Sequence, residues 1–501
     1  MNLLAIDQGT TSTRSLLFDA SGSLLASAQR EFSQAYPQPG WVEHDPRTIW
    51  RDVLSTAREV IAKSHAPVAA IGVANQRETT VVWERADSTP IYPAIVWQDR
   101  RTAAECARLR RDSAEPLVRS RTGLLLDPYF SATKLAWILE HVAGARARAE
   151  RGELAFGTID SFLLWHLTGG RVHATDTTNA SRTMLFDIHR QCWDGDLLRL
   201  FNIPEALLPE VHDNSFIYGV TAEGLFDSAI PVAGMAGDQH AALVGQACLD
   251  AGMAKATFGT GCFFLLNTGQ EALSPATGML TTMAYRTGGR PIYAVEGSIF
   301  CAGAALKWLR DRLELFTDVS RTSAMAAAAG GNNGVYLMPA FTGLGAPHWD
   351  PDARGLICGL TLDSGPEHLV RAALESAAYQ TLDLLGAITG GGGPPRVLRV
   401  DGGMAGNDWF CQFLADILAA PVERPLMLEA TAQGAAYLAG LTLGIFPDFA
   451  AISAAWAGGA RFEPGMDGAE RECLIAGWRD AVQRTLTGST REKLNQHYVA
   501  K

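Results

Sequence analysis

The chain has 501 residues, 47% hydrophobic and 19% charged, with a net charge of −11. That length exceeds what one hydrophobic core supports, so two domains are expected, and the composition is not that of a disordered chain. The acidic balance excludes a nucleic-acid binder acting through its overall field, though not a local nucleotide site. Met1-Asn2-Leu3-Leu4 lacks the basic flank of a signal peptide, and no apolar run reaches the roughly 18 residues of a membrane span, so no membrane insertion is expected. The eight cysteines are scattered without a C-x-x-C pair. That pattern fits free thiols in a reducing compartment, and hence a cytoplasmic enzyme, better than a disulfide framework or zinc site.

The first element is a hairpin. An apolar run through Ile6 and a second over Ser15–Phe18 flank a tip with one glycine and the polar residues Thr10 to Arg14. Such a tip reads either as an ordinary polar turn or as a concavity of N–H groups and hydroxyls for a phosphate. Asp7, at the strand's end, suits a magnesium ion held through water. The P-loop lysine pattern is absent. Asp45-Pro46 then reads as an N-cap with proline at the first helical position, and Ile49, Val53, Ala57, Val60 and Ile61 form the apolar face of that helix.

Val68–Ala74 is a continuous apolar run, the pattern of a strand buried on both faces, and Thr79–Trp83 resumes as strand. Alternating strands and helices imply an α/β layered fold, whose ligands gather beyond strand ends. Arg77 and Glu78 lie at such an end, as a solvated surface pair or as a donor and an acceptor for a polyhydroxylated ligand. Trp97, after the strand Ala94–Val96, is a core residue or an apolar wall for a ligand's carbon face. Tyr129–Trp137 opens another helix. Asp160–Trp165 and Thr175–Arg182 read as polar loops with structural roles. The run Ile230–Gly237 presents Asp238 at a strand tip, where a general base is useful, with Gly237 allowing close approach.

The second half echoes the first. Met253–Phe258 leads into Gly259-Thr260-Gly261 and then Cys262–Leu266, another hairpin with an anion-cradling turn. The domain boundary is placed near residue 245, giving domains 1–245 and 246–501. Arg396–Val400 is a strand followed by Asp401-Gly402-Gly403, a double glycine opening a helix. Gly390–Gly393 with the two prolines after it reads as a loop. Ala430–Gly440 reads as a small-residue helix packed tightly on a neighbour, and the tail from Phe462 onward as polar and helical.

Three glycine-bearing turns in this order resemble the sugar-kinase, actin and heat-shock ATPase superfamily. The segments Asp7–Thr13, Gly40–Pro46, Asn75–Thr80, Trp97–Arg101, Ala180–Met184, Ala340–Pro347 and Asp401–Gly403 make the chain similar to the carbohydrate kinases of the FGGY type. The segment Asn75-Gln76-Arg77-Glu78-Thr79-Thr80 resembles the branch acting on glycerol rather than on pentuloses or gluconate. The resemblance implies an α/β, two-domain, ribonuclease H-like fold with a central cleft. It also implies ATP-dependent phosphorylation of glycerol to sn-glycerol 3-phosphate, the opening step of glycerol catabolism, with Mg²⁺ and a homodimeric or homotetrameric assembly.

By resemblance, Arg77, Glu78, Tyr129, Asp238 and Gln239 hold the glycerol hydroxyls, while Trp97 and Phe263 pack on its carbons. Thr10, Thr11, Ser12 and Arg14 meet the nucleotide phosphates opposite Thr260. Gly303, Gly403 and Asn407 shape the adenosine pocket, Asp238 is the general base, and Asp7 organises the magnesium shell. The glycerol site and phosphate hairpin then fall in 1–245 and the adenine site in 246–501, with a hinge between.

Three departures stand out. Lys307 occupies a place where the family often has glutamine, and His240 replaces another common glutamine. Thr221–Ile230 is not the Gly-Gly-Thr-Arg loop that binds fructose 1,6-bisphosphate in regulated bacterial members. The competing readings are a kinase for another polyol or ketose and a nucleotide-dependent binding or chaperone-type protein on the same fold, or a kinase relative that has lost activity. A narrow aromatic pocket disfavours the first. Asp238 with the pair Arg77 and Glu78 disfavours the second.

Overall fold

The structure, a computed structural model, describes residues 1–274, 278–389 and 393–488. Its first sheet contains β1 (Asn2–Gln8), β2 (Ser12–Phe18), β3 (Leu24–Glu31), β4 (Val68–Asn75), β5 (Ser215–Val220) and β6 (Pro231–Gly237), in the order β5-β6-β4-β1-β2-β3. β1 runs antiparallel to β2 and parallel to β4, so the first hairpin and the Arg77 turn emerge at the same sheet end. All seven residues of β1 are buried, as expected of a strand covered on both faces.

Helix α1 (Pro46–Ile61) covers one face. Asp45 caps it by accepting from the Arg47 N–H at 3.0 Å, and Pro46 starts it without leaving a donor unpaired. Its Ile49, Val53 and Val60 are fully buried against Leu4, Ile6, Leu17, Ile71 and Val73. Each such side chain contributes about 1.5–3 kcal/mol on burial.

The second sheet contains β7 (Met253–Phe258), β8 (Cys262–Gly269), β9 (Leu280–Thr287), β10 (Arg290–Ile299), β11 (Val397–Asp401), β12 (Val422–Pro425) and β13 (Gly458–Phe462), in the order β9-β10-β8-β7-β11-β12-β13. Here too the hairpin strand β7 is antiparallel to its partner β8 and parallel to a later strand, β11. The two halves share this plan.

Two segments read as polar loops are otherwise. Residues 160–165 lie inside helix α2 (Ile159–Leu167), and Thr177–Ala180 form the short helix α3. Their carboxylates are satisfied within the fold: Asp160 accepts from Thr158 and, at 2.6 Å, from Thr175, while Asp176 caps α3. Tertiary burial overrides the weak helix propensity of such residues.

Helix α4 (Asp238–Gly245) follows β6 directly, and helix α5 (Ala430–Thr442) returns from the second half to lie on the first sheet. Contact is at backbone distance. A Cβ on Gly434 would stand 1.8 Å from the Ala241 carbonyl, and one on Gly245 1.9 Å from that of Ala430. Only glycine permits this approach. The polar tail contains helix α6 (Gly468–Thr485); the chain beyond residue 488 and Gly390–Gly392 of the glycine loop lie outside the described residues.

Candidate active site

At the first turn the Gly9 N–H donates to the Ser12 carbonyl at 2.9 Å, leaving Thr10, Thr11 and Ser12 at least partly exposed. The β1–β2 register sets Asp7 opposite Arg14. Arg14 donates from Nη2 to Asp7 Oδ2 at 2.6 Å and from Nη1 to Glu429 Oε2 at 2.5 Å. Burial pushes the Asp7 carboxyl above its usual range, with the Arg14 guanidinium pulling the other way. Gln76 ties this tip to the next strand end, donating to Gln8 Oε1 at 3.0 Å and to the Gly9 carbonyl at 3.1 Å.

Arg77 and Glu78 are not a surface pair: they are 3% and 1% exposed. Glu78 has φ of +60°, a region unfavourable to a residue with a Cβ, and its carbonyl is held by the hydroxyls of Thr80 and Ser131 at 3.1 and 3.0 Å. Such strain concentrates at ligand sites. Its carboxylate accepts from Arg182 Nε at 2.6 Å. Arg182 is brought there by the turn after α3, which the reciprocal amide pair Asn75–Asn179, at 2.9 Å in both directions, pins to the end of β4.

Glu296, reaching in from β10, accepts from both arginines: from Arg77 Nη1, from Arg77 Nη2 at 3.2 Å and from Arg182 Nη2 at 3.0 Å. The two guanidiniums outweigh burial and hold its carboxyl near 2, whereas at Glu78 burial wins and raises the value.

Asp238 stands at the head of α4. Its Oδ1 lies 3.2 Å from Arg77 Nε and accepts from the Gln239 N–H at 2.6 Å. The side chain keeps 27% exposure towards the cleft, yet burial raises its pKa, opposed by Arg77. Gly237 is required here, since a Cβ would stand 2.6 Å from Arg77 Cγ. Gln239 accepts from the fully buried Lys255 of β7. His240 is buried and kept neutral by desolvation, with Nε2 3.4 Å from Thr282 Oγ1.

The aromatic residues converge beside these groups. Tyr129 accepts from Arg77 Nη2 at 3.4 Å, and its ring lies edge-on to Trp97 at 5.6 Å. Trp97 meets Phe263 edge-on at 6.4 Å and donates from Nε1 to Thr10 Oγ1 at 3.0 Å. That bond joins the aromatic wall to the first turn.

The second turn rests on helix α7 (Gly303–Asp311): the Gly303 and Ala304 N–H groups donate at 3.0 Å to the carbonyls of Gly259 and Thr260. A Cβ on Gly303 would meet the Gly259 carbonyl at 2.6 Å. In the double glycine, Gly402 has φ of +86° and a Cβ there would press the Phe258 carbonyl at 2.4 Å, whereas Gly403 faces open space. Asn407 caps the following helix by accepting from the Phe410 N–H at 3.0 Å, and donates to Thr322 at 3.1 Å. Lys307 is exposed on α7.

Arg182, Glu296, Lys255 and Glu429 were not singled out as site residues from the sequence. A lone charge within an apolar strand, as at Glu296 and Lys255, is the one signal that marks them. Among the described residues no group of three His, Cys, Asp or Glu side chains is placed to hold a metal, and no helix is long and apolar enough to cross a membrane.

This two-sheet architecture with paired glycine turns is that of a sugar kinase. The model of the FGGY family of carbohydrate kinases matches with its N-terminal domain over residues 2–245 and with its C-terminal domain over 254–443. The chain belongs to the FGGY family of carbohydrate kinases.

Within that family it is similar to glycerol kinases. It is 59% identical to that of Gluconobacter oxydans (strain 621H), covering 97% of this chain and 96% of the relative. It is 58% identical to that of Rhodospirillum centenum, covering 97% and 98%. Its structure is similar to that of Plasmodium falciparum glycerol kinase with ADP, with a TM-score of 0.94 and 35% identity over 97% of this chain and 98% of that one.

Proposed function

We propose that the chain transfers the terminal phosphoryl group of ATP to glycerol, giving sn-glycerol 3-phosphate. The observation that carries this reading is the convergence of Asp238, Arg77, Glu78 and Gln239 with the wall of Trp97, Tyr129 and Phe263 beside the first turn. In this reading the three carbons pack on that wall while the hydroxyls meet the polar rim. The glycerol-kinase relatives over nearly the whole length support the same acceptor.

In this reading Arg77 and Glu78 orient the acceptor, and Asp238 takes the proton of the attacking terminal hydroxyl. The carboxylate can be a weak base because phosphoryl transfer passes through a loose transition state in which the hydroxyl proton moves late, though that proton still needs an acceptor. Thr10, Thr11, Ser12 and Arg14 bind the phosphates from one side and Thr260 from the other. Gly303, Gly403 and Asn407 shape the adenosine pocket, and the open face of Gly403 leaves room for it.

Asp7 fits a hydrated Mg²⁺: Arg14 occupies Oδ2, and Oδ1 remains to accept from a metal-bound water. The bound ion would neutralise phosphate charge. Residues 1–245 carry the phosphate turn and the acceptor site apart from Phe263, and 246–501 the nucleotide, with α5 crossing back. Eight free cysteines suit a cytoplasmic location. Assembly as a homodimer or homotetramer belongs to the same reading and is checked by light scattering.

The test is ATP consumption with Mg²⁺ against glycerol, dihydroxyacetone, xylulose, gluconate and no acceptor. Turnover is expected with glycerol foremost. Preference for a ketose or gluconate would sink the argument from the aromatic wall, and acceptor-independent turnover would sink the kinase assignment of the cluster.

A further inference from the structure

Lys255 is a fully buried lysine on β7, and its side chain is absent from the roles above. Its Nζ donates to Gln239 Oε1, on α4 of the first half, and to Thr257 Oγ1 at 2.9 Å on its own strand. Burying an ammonium costs several kcal/mol unless it is paired and hydrogen-bonded. Burial lowers the Lys255 pKa, with Arg77 acting the same way, while the carboxylates of Asp401 and Asp238 favour the charged form.

An ammonium has three donors and no acceptor. It therefore dictates which end of the Gln239 amide faces it. The oxygen is taken by Lys255, so the N–H groups are the end offered to a ligand.

We propose that Lys255 is a positioning residue of the acceptor site, fixing Gln239 with its amide N–H groups toward the acceptor oxygen. The inference rests on the reading of Gln239 as an acceptor ligand. It also makes the acceptor site dependent on the second sheet, because the bond runs from β7 to α4.

The experiment is steady-state kinetics with glycerol and Mg-ATP on wild type, Lys255→Met, Gln239→Ala and the double variant. Each single change is expected to raise the glycerol KM at least tenfold while the ATP KM stays within twofold. The double variant is expected within about threefold of the worse single one, because both remove the same contact. Multiplicative effects in the double variant, or an equal rise in the ATP KM, would overturn the proposal; a merely structural lysine would give one or the other.

Should Lys255→Met fail to fold, Gln239→Glu decides. Its carboxylate keeps a partner for Lys255 but offers a ligand only acceptors, so a tenfold rise in glycerol KM is expected and an unchanged KM refutes the orientation. Wild type without glycerol-dependent turnover removes the functional reading as well, whereas normal wild type with uncoupled variants removes the role of Lys255 alone.

Discussion

Glu296→Gln tests how the acceptor cluster is held together. The substitution keeps the shape of the side chain and removes the carboxylate shared by Arg77 and Arg182. Both guanidiniums stay buried, with Glu78 and Asp238 as their remaining ionic partners. In the folded chain the Glu296 carboxyl sits near 2 against an ordinary 4.5. At about 1.4 kcal/mol for each tenfold in proton affinity, its environment favours the charged form by roughly 3 kcal/mol. Loss of one partner from a buried pair costs about 3–5 kcal/mol, the same range.

The expected result is therefore about 3 kcal/mol lower stability at neutral pH, read from urea unfolding followed by both fluorescence and circular dichroism. The sign with pH follows from the depressed value. The contribution is complete above about 4.5 and is lost as pH falls through about 2, so the gap between variant and wild type closes in acid. A difference below 1 kcal/mol at neutral pH, or a gap that persists at pH 2, would refute the reasoning.

Gly434→Ala drives a Cβ to 1.8 Å from the Ala241 carbonyl, so α4 and α5 must separate. A loss of about 1–3 kcal/mol is expected in the same unfolding assay. Gly303→Ala pushes the second turn away from α7. The ATP KM is expected to rise about tenfold, roughly 1.4 kcal/mol, with the glycerol KM within twofold, measured by coupled ADP release. Trp97→Ala opens the aromatic wall and removes the donor to Thr10. Turnover with dihydroxyacetone or xylulose relative to glycerol is expected to rise, as measured across the acceptor panel.

Local pattern was enough for both hairpins, the capped helix at Asp45 and the aspartate at the end of β6, because each is written in consecutive residues. The tight seat of Ala430–Gly440 was also legible, since a run of small residues has few other uses. The partners of the charges were not. Glu296 and Arg182 lie 219 and 105 positions from Arg77 along the sequence, and only the folded sheet joins them. That Arg77 and Glu78 are not a solvated surface pair became visible only with those buried partners. The polar stretches at 160–165 and 175–182 misled for the same reason: Asp160 is answered by the hydroxyl of Thr175 and Asp176 by the amide of Asn214, which only the fold brings together.

Single-turnover phosphoryl transfer from Mg-ATP to glycerol in Asp238→Asn bears most directly on the proposed chemistry. The carboxamide keeps the contact with the acceptor but cannot take its proton. The rate is expected to fall about 100- to 10,000-fold, with ATP affinity within twofold of wild type. A rate within tenfold of wild type would contradict Asp238 as the base.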